Sequence, residues 1–367
     1  MTTDKKLNLV LEGGGVKGIG LVGAIEELEN AGYSWDYIGG TSAGAIVATL
    51  LAVGYTGKEL YEIVTGTELD FVSIMDDVPV RQNFLRVSSR AAKAIENRRY
   101  LRLLFSARGI WKLLKRLRQN YGLFDGEYIV EKVRDLIEKK TGNRHYTFAD
   151  LADANGGDPT KLSLMVTDIT NGKLLILPRD LAKLHSSPKK MEIARVMRMS
   201  MSFPFFFKPV SVPIARGEVL LLMDGGVLSN FPFWYIDGLA ETSKRSHPTI
   251  GILLEEPPGN GITNLGGIVT ALLNTMISPL DRVGHRALSN RIIKVETFVK
   301  QEDGQTRGIS TLAFDLGPDD KKVLYDNGRT AGRKFIQKFE QTTEKEKSAV
   351  EIMKDWSGDK SAPAAAA

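Results

Sequence analysis

The chain has 367 residues, no cysteine and a formal net charge of +5. Lacking cysteine, it has no disulfide scaffold, no thiolate metal site and no cysteine nucleophile, and a hydrophobic content of 43% is enough to bury the core of a large α/β domain. Charge is unevenly placed: twelve basic residues against the single Glu96 between Arg81 and Arg118 give a local +11, leaving −6 for the rest, so one anionic partner surface is expected rather than general stickiness.

In chain order, "MTTDKKLNLV" runs into a strand without the basic and apolar regions of a secretory signal, so a cytoplasmic location is expected. The strand "KLNLVLE" is followed by a glycine run and then by a helix over Val16 to Ala31, whose apolar positions are Ile19, Leu21, Val22, Ile25 and Leu28. "YSWDYIGG" reads as a second strand, and after "TSAG" a helix over Ala43 to Val53 closes at Gly54. A strand, a crossover helix and a second strand imply a parallel sheet with helices packed on it.

Further strands are expected at "LSLMVTDI", "KLLILP", "EVLLLMD", "TIGILLE" and "STLAFDL", and further helices at Lys58 to Thr65, Gly126 to Lys140, Pro188 to Met199 and Pro318 to Lys345. Two long uncharged stretches, Tyr37 to Gly57 and Gly259 to Leu280, are broken by Gly, Thr, Ser, Asn or Pro and read as buried core, not membrane spans. The division expected is one α/β domain over 1–345, with 70–120 as a basic helical insertion or cap, and a largely disordered tail over 346–367 that ends "SGDKSAPAAAA".

Gly13, Gly15 and Gly18 have the spacing of a dinucleotide cradle, yet the same loop suits an oxyanion. A dinucleotide site needs an acid at the end of the second strand, whereas Asp36 begins "YIGG", and Glu12 would set a carboxylate beside a pyrophosphate. The oxyanion reading gains from Gly40-Thr41-Ser42-Ala43-Gly44, a G-x-S-x-G between a strand and a helix. There the turn is tight, the serine hydroxyl is exposed, and a helix N-terminus lies beneath it. A Thr-Ser helix cap flanked by packing glycines is the plainer use of the same residues.

A serine nucleophile needs a base. The four histidines, His145, His185, His247 and His285, lie in ordinary polar segments, whereas "GEVLLLMDGGVLSNFP" ends an apolar strand on Asp224, followed by Gly225 and Gly226. A carboxylate there suits a catalytic base, and burial beside Leu222 and Met223 would raise its pKa towards that role. A simple Asp-Gly turn is the competing reading.

Four segments, "GGGVKG" (Gly13 to Gly18), "GTSAG" (Gly40 to Gly44), "GLFDGEYIVEKVRDLI" (Gly122 to Ile137) and "DGGVLSNFP" (Asp224 to Pro232), together resemble the patatin-like phospholipase family, as does "RVMRMSMSFPFFFKPV" at 195–210. The resemblance implies a three-layer α/β/α fold with a mostly parallel central sheet. It also implies a serine hydrolase without cofactor or metal, cleaving phospholipid or other acyl-lipid esters. In that reading Ser42 is the nucleophile, Asp224 the base, and Gly13, Gly14 and Gly15 the oxyanion donors. Lys17, Gly18, Gly40, Gly44, Gly225 and Gly226 complete the motifs. Lys17 either steadies the loop or meets a lipid phosphate. A membrane-bound signalling protein without turnover is the alternative on the same fold.

From Ala107 to Arg118, Arg108, Lys112, Lys115 and Arg116 cluster on one side of a helical wheel, with Ile110, Trp111, Leu113, Leu114 and Leu117 largely opposite. A basic amphipathic helix on an anionic membrane surface has this pattern, with Trp111 at the headgroups; packing of the apolar side on the core is the alternative. Phe203, Phe205, Phe206 and Phe207 line an acyl pocket, touch the membrane or fill the core. Little aromatic interleaving and no known module argue against nucleic acid as a partner. The sequence assigns neither an activator nor an oligomeric state.

Overall fold

The computed structural model describes residues 5–66, 68–85, 107–184, 186–187, 190–214, 217–242, 247–256, 289–300 and 306–357. Its strands are β1 (Lys5–Leu11), β2 (Tyr33–Gly40), β3 (Gly122–Phe124), β4 (Leu162–Asp168), β5 (Lys173–Leu177), β6 (Phe205–Phe207), β7 (Val210–Pro213), β8 (Val219–Asp224), β9 (Thr249–Glu255), β10 (Ile292–Glu296), β11 (Phe298–Lys300) and β12 (Thr306–Gly308). The helices bounded at both ends within the described residues are α1 (Ile19–Asn30), α2 (Ala43–Ala52), α3 (Gly57–Thr65), α4 (Ala107–Asn120), α5 (Glu127–Thr141), α6 (Phe148–Ala154), α7 (Ile193–Ser200), α8 (Phe233–Thr242) and α9 (Pro318–Ser357).

Eight strands form the main sheet, in the order β10-β9-β1-β2-β4-β8-β7 with β5 also on β4. From β10 to β4 every pairing is parallel, and β5, β7 and β8 add antiparallel strands. Alternation along β1 separates two cores: Leu7, Leu9 and Leu11 join the cluster that includes Ile25 of α1 and Leu50 of α2, while Val10 joins Phe233 and Ile236 of α8 on the other face. A mostly parallel sheet covered by helices on both faces is the three-layer arrangement expected.

Three elements differ from the sequence reading. No strand forms at "STLAFDL": residues 310–316 are turns and irregular backbone, with only Thr311 and Phe314 well buried among the apolar and polar side chains there. In place of that strand, β11 and β12 pair as an antiparallel ribbon just before it. Helix α9 continues past Lys345 to Ser357, and 358–367 lie outside the described residues. The helix expected from Pro188 begins only at Ile193, because the preceding Glu192 is extended (φ −66°, ψ 137°) and bridges to Thr147.

Candidate active site

The turn from β2 to α2 is strained. Ser42 sits at φ 54°, ψ −120°, a region a non-glycine residue occupies at a cost of roughly 1–3 kcal/mol. Neighbours hold it there. Ser42 N–H donates to Ser200 Oγ at 3.2 Å, at the end of α7, and the buried Thr41 hydroxyl donates to the Ser229 carbonyl at 3.2 Å. A Cβ on Gly44 would come within 2.4 Å of the Leu11 carbonyl oxygen, so only glycine lets the start of α2 close on the end of β1. Gly40 is equally confined, against the Gly44 carbonyl.

Asp224 reaches the same end of the sheet through the register of an antiparallel strand. Gly40 pairs with Leu164, and Asp224 pairs with Val166, two residues further along β4. Strand β8 therefore descends towards the elbow and stops level with it. Asp224 is 2% exposed; Oδ1 accepts from Gly226 N–H at 2.8 Å, and Oδ2 is buried without a hydrogen-bond partner among the described residues. Burial pushes the carboxyl up to about 7, opposed by the Gly226 N–H, the nearby Ser42 hydroxyl and the Arg198 charge. Gly225 lies against the Met165 carbonyl and Gly226 against Asn230 Oδ1.

Asn230 and Glu12 fasten the glycine loop. Asn230 Nδ2 donates to the Gly13 carbonyl at 3.0 Å and to Glu12 Oε1 at 3.3 Å, and Glu12 Oε2 accepts from Leu254 N–H at 2.6 Å. One buried carboxylate thus ties the end of β1 to both β9 and the segment after Asp224. Of the three expected oxyanion donors, Gly13 N–H is already spent on the Asn230 carbonyl at 3.2 Å. The N–H groups of Gly14 and Gly15 donate to no acceptor among the described residues. Gly15 has φ 57°, and a Cβ there would meet the Thr311 carbonyl oxygen at 2.1 Å, so the turn requires glycine. Gly18 packs on Ala43 at the start of α2. Lys17 is buried and ion-paired with Glu256, a contact within the protein that favours the loop-steadying reading.

Behind Asp224 lies a buried arginine that the sequence reading passed over. Arg198 is 3% exposed and is held by uncharged acceptors: the carbonyls of Asp125 (2.6 Å) and Lys208 (3.0 Å) and the Ser202 hydroxyl (2.5 Å). Burial draws it down to about 10, so it stays charged at neutral pH. Ser202 also accepts the Asp224 N–H on its carbonyl at 3.0 Å. These partners were not predictable from residue type. Arg198, Ser200 and Ser202 all fall in the "RVMRMSMSFP" segment, and Asn230 in "DGGVLSNFP", so motif membership was the available signal.

The described histidines are engaged elsewhere: His145 Nδ1 lies 2.7 Å from Glu192, and His247 lies 3.9 Å from Asp36, which also pairs with Lys161. His185 and His285 lie outside the described residues. Among the described residues no three His, Asp or Glu side chains converge as a metal site would require, and no helix is long and apolar enough to cross a membrane.

Helix α4 forms as expected, but its faces divide differently from the wheel. Leu113 and Leu117 pack on the core, whereas Trp111 and Leu114 are 63% and 58% exposed. Arg116 turns inward: it pairs with Asp77 at 2.8 Å and donates to the Leu123 carbonyl at 3.3 Å, so it is a structural contact and not part of an outward basic face. Lys112 and Lys115 are exposed, and the Arg108 side chain lies outside the described set, as do 86–106 of the basic stretch. Phe206 and Phe207 are buried, Phe203 is half-buried and Phe205 is exposed, which settles the division of that aromatic run.

With a strained Ser42 elbow, a glycine loop and a buried Asp224 on a mostly parallel sheet, the comparison with known proteins is unambiguous. The model of the patatin-like phospholipase family matches residues 9–237, and the chain belongs to that family. Among its relatives, the uncharacterized protein YqhO of Bacillus subtilis is 32% identical over 90% of this chain and 98% of its own length. A probable lipid hydrolase, 463L of Invertebrate iridescent virus 6, is 27% identical over 61% of each chain. Of solved structures, VipD from Legionella pneumophila is similar at a TM-score of 0.49 and 18% identity, over 91% of this chain and 67% of that one.

Proposed function

We propose that this chain is a serine acyl hydrolase of the phospholipase A or lysophospholipase type, cleaving carboxylic ester bonds of phospholipids or related acyl lipids through a Ser42–Asp224 dyad. Family membership supports lipid hydrolysis. The observation that carries the dyad is the buried Asp224 Oδ2, which has no hydrogen-bond partner among the described residues and belongs to a carboxyl pushed up to about 7 beside the Ser42 hydroxyl. A base of that pKa is half ionised at neutral pH and matched to moving a hydroxyl proton.

In this mechanism Asp224 takes the Ser42 proton as Oγ attacks the ester carbonyl, and the N–H groups of Gly14 and Gly15 receive the negative oxygen. Asp224 returns the proton to the departing alcohol, leaving Ser42 acylated. Water then gives a proton to Asp224, attacks the acyl carbon, and releases the fatty acid as the proton passes back to Ser42. Residues 1–345 act as one catalytic unit, with 70–120 as its cap.

Mass spectrometry of products from a mixed-lipid extract tests this. Free fatty acids and lysolipids appear with the wild-type chain, Ser42→Ala gives none, and a fluorophosphonate probe labels Ser42 alone. Labelling elsewhere, or hydrolysis surviving in Ser42→Ala, removes the reading.

A further inference from the structure

Two exposed aromatic residues stand side by side in a backbone conformation that suits glycine. Tyr121 has φ 59° and Phe205 has φ 66°, with 62% and 59% of their surfaces exposed. They are neighbours because Gly122 pairs with Phe205 in the parallel β3–β6 ladder. A bulky residue at positive φ is uncommon and costs free energy that glycine would not. Neither ring gains that cost back by burial, unlike Phe206 and Phe207 next in the chain, which are 3% and 2% exposed.

Helix α4 leads directly into this pair. Trp111, Leu114, Lys115 and Arg118 are all exposed at i, i+3, i+4 and i+7, one face of the helix. Lys115 Nζ lies 5.4 Å from the centroid of the Trp111 ring, and Lys112, Lys115 and Arg118 have no ion-pair partner among the described residues. The patch is also close to the serine and the aspartate. Ser202, whose carbonyl holds the Asp224 N–H, is three residues before Phe205, a chain span of at most about 10 Å.

We propose that Trp111, Leu114, Tyr121 and Phe205 form a wedge that enters the headgroup layer of an anionic lipid bilayer, with Lys112, Lys115 and Arg118 gripping the lipid charges around it. Large rings with polar edges suit the interface, and a basic surround complements anionic headgroups. A second copy of the chain fits less well, since a two-fold contact would bring these like charges together. The role given to the wedge rests on the lipid-hydrolase reading, because it sets the bilayer beside the site; the binding itself does not.

The test uses the full chain and vesicles of equimolar phosphatidylcholine and phosphatidylglycerol. Trp111→Ser and Phe205→Ser are each expected to weaken co-sedimentation about tenfold, the change that ~1.4 kcal/mol produces. Hydrolysis of a monomeric p-nitrophenyl ester should be unchanged. Tyr121→Gly and Phe205→Gly should raise Tm while lowering vesicle binding, a pairing that a structural role would not give. Ser42→Ala should bind vesicles normally, so loss of chemistry and loss of docking are read separately. Unchanged vesicle binding in the ring variants overturns the proposal, as does a dimer of the wild-type chain that the same substitutions dissociate.

Discussion

Arg198 Nη1 donates to Ser202 Oγ at 2.5 Å, and Ser202 in turn holds the Asp224 N–H on its carbonyl. A buried positive charge is thereby set behind the carboxyl without touching it, lowering a pKa that burial raises. Arg198→Met is expected to move the acid limb of the kcat/KM profile to higher pH, because the Asp224 carboxylate then loses its supporting charge. Arg198→Lys should restore part of the shift. A limb that stays in place in Arg198→Met removes the electrostatic role, whatever the change in Tm.

Asp224 stores instability. Its folded pKa of about 7 lies above the ordinary carboxyl value, so between about pH 4 and 7 the folded chain binds more protons than the unfolded one, and stability falls as pH rises through that window. At pH 8 the cost is on the order of 4 kcal/mol. Asp224→Asn should abolish hydrolysis yet be more stable than wild type at pH 8, with the difference fading towards pH 4. Chemical denaturation at the two pH values measures it. An Asp224→Asn chain that is no more stable at pH 8 would count against the burial of an ionised carboxylate.

The elbow offers a second contrast of this kind. Ser42→Ala keeps φ 54° and its strain, whereas Ser42→Gly relieves it, so both should be inactive while the glycine variant is the more stable by roughly 1–3 kcal/mol. Comparison of the two Tm values decides it, and equal values would place the strain elsewhere.

Asn230→Ala should act on the loop rather than on the base. It removes the donor shared by the Gly13 carbonyl and Glu12 Oε1, and losing a hydrogen bond to a charged acceptor costs about 1.5–3 kcal/mol. Fluorophosphonate labelling of Ser42 should slow while the pH midpoint holds, since Asp224 is untouched. A shifted midpoint with normal labelling would reverse that assignment.

Much of the architecture was legible because parallel strands and their helices announce themselves by period: the apolar run Leu7 to Leu11 and the helix from Ala43 appear where expected, and the helix expected over Val16 to Ala31 forms as a 3-10 turn over Gly15–Gly18 followed by α1. Short edge pairings such as β3 with β6 were not, since three residues carry no period and their partners are far away in the chain. At the site, Ser42 and Asp224 stood out by the glycines around them. The buried contacts of Arg198 and Asn230 did not, because a hydrogen bond to a distant carbonyl leaves no trace in spacing. Helix α4 shows the same limit from the other side: a wheel groups Arg116 with Lys115, but only the fold brings Asp77 within reach of one and not the other.

The register that sets Asp224 level with the elbow also has a kinetic consequence. Ser42 follows the second strand of the chain and Asp224 ends the eighth, and between them β4 must be in place before β8 can pair with it. Contacts between segments so remote in sequence form late and slowly. A nascent or partly refolded chain that already carries a formed elbow therefore lacks its base, and its serine stays chemically silent. During refolding, recovery of fluorophosphonate reactivity should follow the slowest phase and lag behind the return of helical signal, making the last strand to dock the step that switches the serine on.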